Sequence, residues 1–71
     1  MAKTFGEVVA YCLSQRGMSQ SDLARKIGTG RQTINSIIIG GRRGPTLETA
    51  VAIADALDLT VDDLVAMMKE D

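Results

Sequence analysis

The stretch from Ser19 to Gly40, SQSDLARKIGTGRQTINSIIIG, leaves this chain few ways to fold. At the helical period it divides into two short amphipathic segments. Leu23, Ala24 and Ile27 share one face of the first, and Ile34, Ile37 and Ile38 share one face of the second. Gly28, Thr29 and Gly30 stand between them. A connection this short and this rich in glycine turns sharply, because glycine takes backbone angles that a Cβ disfavours. The two segments therefore read as crossed helices, a helix-turn-helix.

The residues that make this pattern extend beyond it. Ser19, Gln20, Leu23, Ala24, Gly28, Arg31, Thr33, Ile34, Ile37 and Gly40 stand in the order S-Q-x-x-L-A-x-x-x-G, then R-x-T-I-x-x-I, then G. Pro45-Thr46-Leu47-Glu48-Thr49, Ala52-Ile53-Ala54, Leu57 and Thr60-Val61-Asp62-Asp63-Leu64 continue it. In this order they resemble the phage-repressor and Cro type of helix-turn-helix DNA-binding domain over almost the whole chain. The resemblance implies an all-α, compact five-helix domain of the lambda-repressor kind. One domain is expected over residues 1–71, with helices over 4–16, 19–27, 30–39, 46–57 and 60–68.

Composition agrees with a small folded domain and narrows its chemistry. A chain of 71 residues buries only about 60% of its unfolded surface, so oligomerisation would help it. It is 45% hydrophobic and 24% charged with one proline, a balance that suits folding rather than disorder. With Phe5 and Tyr11 as its only aromatics, its core must be aliphatic. No apolar run is long enough to span a membrane and no secretory leader pattern is present, so a cytoplasmic protein is expected; the resemblance implies that it is nucleoid-associated and of prokaryotic or phage origin. Cys12 has no second cysteine to pair with and falls on an apolar face, which suggests a core thiol. The sequence contains no histidine. A metal site would lack its commonest ligand and a general base would have to be a perturbed carboxylate or lysine. No cofactor, no metal and no enzymatic activity are expected.

The net charge of −1 conceals an uneven distribution. From Met1 to Thr46 the cations Lys3, Arg16, Arg25, Lys26, Arg31, Arg42 and Arg43 face only Glu7 and Asp22. From Leu47 onward Glu48, Asp55, Asp58, Asp62, Asp63, Glu70 and Asp71 face Lys69 alone. A polyanion would respond to the local field of the basic half rather than to the net charge.

Helix 1 is expected to turn Phe5, Val8, Val9, Cys12 and Leu13 inward and to stop at Gly17. Ser19 caps helix 2 with support from Asp22, which leaves Gln20 at the positive end of the helix dipole, where a phosphate is welcome. Helix 3, with Gly30 or Thr29 before it, turns its isoleucines inward. Gln32, Asn35, Ser36 and Ile39 then point outward and Arg31 lies on the flank of the first turn. Carried over from the family, the base-reading positions fall on Arg31, Gln32 and Ser36. Backbone contacts fall on Gln20, Thr33 and Asn35, and the GGRRGPT loop adds Arg42 and Arg43 as grips on phosphate. Double-stranded DNA is the partner this implies.

Three positions depart from the family pattern. Gly30 stands where a capping serine or threonine is usual. Leu13 and Ile38 replace an ion pair and are expected to touch each other. Ile39 replaces a polar or basic residue, and contact with the Arg42 or Arg43 stems, with DNA sugars or with a protein partner all remain open for it. Helix 4, capped by Thr46, is expected to bury Leu47, Ala50, Val51, Ile53, Ala54 and Leu57, with Asp58 in the left-handed conformation at its end. Helix 5, capped by Thr60 with Asp63, carries the stripe Val61, Leu64, Val65 and Met68, with Met67 to one side. That stripe is a candidate interface for a homodimer reading a pseudo-palindromic operator. The expected function is a transcriptional regulator, most simply a repressor. The alternative is a protein-interaction module on the same fold, of the antitoxin or anti-repressor type, using Ile39 or helix 5.

Overall fold

The computed structural model describes residues 3–40 and 45–69. Five helices follow one another: α1 (Phe5–Arg16), α2 (Gln20–Ile27), α3 (Arg31–Gly40), α4 (Leu47–Ala56) and α5 (Val61–Lys69). Each starts or stops within a residue or two of the boundaries expected from sequence.

The helix ends follow from side chains already in the sequence. Ser19 Oγ accepts from the Asp22 N–H at 3.0 Å, and Asp22 Oδ2 accepts from the Ser19 N–H at 3.0 Å. Thr60 and Asp63 repeat this reciprocal box at α5, at 3.0 and 2.9 Å. A third box, Thr4 with Glu7, precedes α1. Thr4 therefore stands before the helix rather than inside it as the expected 4–16 span has it, and its T-x-x-E spacing to Glu7 is the same signal. Thr46 caps α4 by accepting from the Thr49 N–H. At the other ends Gly17 (φ 62°) and Gly28 (φ 77°) are left-handed, as is Asp58 (φ 59°), which takes this role without being glycine.

The core is aliphatic and shared by all five helices. Val8, Val9, Cys12 and Leu13 of α1 meet Leu23 and Ala24, Ile34, Ile53 and Ala54, Leu57 and Leu64. Ile27, Ile37 and Ile38 pack partly against it. Leu13 and Ile38 thus join one apolar cluster in place of an ion pair, which avoids the cost of desolvating two charges. Burial raises the pKa of the Cys12 thiol, against a smaller opposing effect of Arg16.

Gly6 is the residue that sequence reasoning passed over. A Cβ there would lie 2.5 Å from the carbonyl oxygens of both Ile37 and Ile38 and 2.8 Å from Ile38 Cα. The absence of a side chain lets the first turn of α1 sit directly on the backbone of α3. An isolated glycine in a helical apolar pattern carries this signal.

Two expected core residues lie outside. Leu47 is 75% and Val51 42% exposed. The inward stripe of α4 is Ala50, Ile53 and Ala54, continued by Leu57. At about 100° per residue Val51 is turned roughly a quarter-circle away from Ala50, and Leu47 precedes the stripe on the first turn.

Candidate nucleic-acid interface

The helix-turn-helix places α3 by three devices. Ile34 is fully buried beneath it, Gly6 admits it close to α1, and the Gly28 turn sets its angle to α2. Gly30 precedes the helix and offers its carbonyl to the Thr33 N–H at 3.0 Å. As glycine it supplies no side-chain oxygen to the free N–H groups of the first turn.

With Ile34 inward, Arg31, Gln32, Thr33, Ser36 and Ile39 are exposed and Asn35 is half-buried. Arg31, Gln32 and Asn35 line one shallow recess of about 140 Å³. The structure thus gathers an arginine, a glutamine and an asparagine at one end of α3, with Ser36 a turn further along. Arginine can donate twice to guanine O6 and N7, and glutamine or asparagine can pair with the N6 and N7 edge of adenine.

A larger recess of about 330 Å³ lies beside this face, lined by Ile27, Thr29, Thr33, Thr46, Glu48, Thr49 and Ala52. It brings Thr33, expected to meet the DNA backbone, next to the start of α4. There the Thr46 hydroxyl donates to the Thr49 hydroxyl at 3.0 Å. The grouping of four threonines has no common spacing in the sequence, because they come from the turn, α3, and the cap and first turn of α4.

Gln20 sits at the first position of α2, half-buried, with Oε1 shielded and unpartnered. Because a phosphate only accepts hydrogen bonds, it would be met by the Nε2 end of this amide. Arg42 and Arg43 fall outside the described residues.

Not every cation of the basic half is free to face a polyanion. Arg25 pairs with Asp22 at 2.9 Å. Lys26 donates to the Ala56 carbonyl at 3.1 Å and so closes the C-terminal end of α4 from α2. Lys3 lies over the Tyr11 ring at 5.6 Å from its centroid, and its backbone N–H donates to the Met68 carbonyl at 2.8 Å.

The face expected to join two copies must be redrawn. Leu64 is fully buried in its own core and presents no surface to a partner. Val61, Met67 and Met68 also pack against that core as half-buried residues. Val65, about 100° round the helix from Leu64, is 40% exposed. Among the described residues no helix is long and apolar enough to cross a membrane.

A sequence profile described as helix-turn-helix matches residues 9–64. The chain belongs to the phage-repressor and Cro-like helix-turn-helix family. Solved structures share its fold. The restriction-modification controller protein C.AhdI from Aeromonas hydrophila superimposes with a TM-score of 0.77 at 28% identity, over 84% of this chain and 89% of that one. A chain of the SinR protein/SinI protein complex gives 0.79 at 24% identity, over 87% of this chain and 60% of that one. The nucleoprotein complex C.Esp1396I gives 0.77 at 22% identity, over 94% of this chain and 91% of that one. Comparison with curated proteins finds no match.

Proposed function

We propose that this helix-turn-helix protein is a sequence-specific DNA-binding transcriptional regulator, acting as a repressor. In this reading α3 lies in the major groove. One observation carries it: the helix-turn-helix buries Ile34 and leaves Gln32 and Ser36 exposed on the opposite side, with Arg31 exposed on the flank of the first turn. The likeness to C.AhdI, a controller protein at 28% identity, supports a regulatory role. Gln20, Thr33 and Asn35 take backbone or secondary contacts, and Arg42 and Arg43 hold flanking phosphates. Two copies meet through Val65 with the rims of Val61 and Met68, each reading half of a pseudo-palindromic operator.

Selection of bound fragments from random DNA, followed by variant binding, tests the reading. Arg31→Ala weakens the best fragment by about 1–3 kcal/mol and relaxes one base preference per half-site, with little effect on random DNA. Arg43→Ala weakens all sequences alike and lowers the salt slope by about one unit per bound copy. Equal loss on every sequence for Arg31→Ala would remove α3 from the groove. If neither change altered DNA binding in folded protein, the chain would instead be a protein-interaction module, whose apolar contacts resist salt. For assembly, sedimentation of the wild type should show a dimer on DNA that Val65→Lys weakens, and a monomer both free and on DNA would refute the α5 interface.

A further inference from the structure

The outward edge of α3 carries one side chain that hydrogen bonding does not explain. Ile39 is 72% exposed, although the helix runs through it to Gly40. At about 100° and 1.5 Å per residue, Ile39 returns to within about 20° of Gln32, two turns and about 10 Å further along. Gln32, Asn35, Ser36 and Ile39 therefore stand at i, i+3, i+4 and i+7. Side chains at this spacing share one face, so a helix lying along the major groove turns all four toward it, with those of its N-terminal half foremost. The first three side chains can donate or accept hydrogen bonds, and the fourth is a branched aliphatic that can do neither. Nor does the core use it, because the inward side of α3 is Ile34, Ile37 and Ile38.

The edges of the base pairs in the major groove offer such a side chain one apolar group, the C5-methyl of thymine. We propose that Ile39 is a specificity-determining residue that packs on a thymine methyl in each half-site. Polar readout along α3 then ends on a T·A pair selected by its methyl group. The inference rests on the reading of α3 as the recognition helix.

The probe is a fragment selected from random DNA by the wild-type protein, remade with deoxyuridine in place of each thymine in turn. Losing the methyl at one position per half-site should weaken wild-type binding about fourfold at that half-site, the equivalent of about 0.8 kcal/mol for one buried methyl. Ile39→Ala is at an exposed helical position and should retain the wild-type circular dichroism. It should bind the thymine and uracil fragments equally while keeping the other base preferences. The proposal is overturned if the wild type is indifferent to uracil at every position, or if Ile39→Ala keeps the thymine preference. It is also overturned if that variant loses the same factor on both fragments, which would place Ile39 on sugars or on a protein partner. Failure to recover any selectively bound fragment would overturn the DNA-binding reading and this inference together. Selective binding without methyl dependence would overturn this inference alone.

Discussion

The two helices of the helix-turn-helix are held in different ways. α2 is secured at its ends: Ser19 and Asp22 close its start, Gly28 closes its finish, and Lys26 ties it to α4. It also buries Leu23 and Ala24. α3 follows a residue with no side chain, buries Ile34 alone completely, and rests its backbone on Gly6. One helix has capping chemistry at both ends in addition to its burial, and the other depends on what lies underneath it. This difference suits the proposed role of α3, because a helix that presents its side chains to DNA would have fewer of them to spend on its own anchorage.

Removing what lies beneath α3 should have the largest effect. Ile34→Ala is expected to cost about 2–5 kcal/mol through lost burial and a cavity. The core of a domain this small rarely supplies more than about 3–5 kcal/mol, so loss of most far-UV circular dichroism at 25 °C is the expected outcome. Retention of wild-type stability would show that α3 has other anchors.

Gly6→Ala should come next, at about 1–3 kcal/mol, because its Cβ would meet backbone that cannot rotate away. Its effect should also be directional. The α1–α3 distance must open while the α2 boxes remain intact, so affinity for a selected DNA fragment should fall even in the fraction that stays folded. A variant with unchanged melting and binding would contradict the close approach.

Ser19→Ala attacks α2 at its own point of control and should cost about 1 kcal/mol, or about 4–8 °C in melting temperature. Acid should act on the same cap. The backbone N–H of Ser19, then its hydroxyl, hold the Asp22 carboxyl below its ordinary 3.8, and Thr60 does the same for Asp63. With the folded pKa below the unfolded one, this stabilisation is complete above the unfolded value of 3.8 and is lost as pH falls through the lower folded values. Melting temperature should therefore drop on acidification through that range, and the drop should be shallower in Asp22→Ala/Asp63→Ala.

The smallest change sharpens the contrast from the other side. Gly30→Ser meets open space and would give α3 the side-chain cap that α2 already has. A gain of a few tenths of a kcal/mol is expected, read as a slight rise in melting temperature. A loss would mean that glycine is needed there for the turn itself.

The sequence by itself determined the elements and their ends. The capping boxes at Ser19 and Thr60, the glycine stops at 17 and 28 and the left-handed Asp58 depend on residues within a few positions of one another, so their spacing can be read directly. The outward positions Gln32, Asn35, Ser36 and Ile39, with Arg31 on the flank, were legible for the same reason, since one buried face of a short helix fixes the opposite one. The tertiary structure alone decided that Gly6 seats α3, that Lys26 serves α4, and that four threonines line one recess. It also decided that Leu64 faces inward while Leu47 and Val51 stay outside. Apolar periodicity gives the direction of a stripe but not its width. How far round a helix burial extends depends on the neighbour that covers it, and that neighbour is brought there by contacts distant in the sequence.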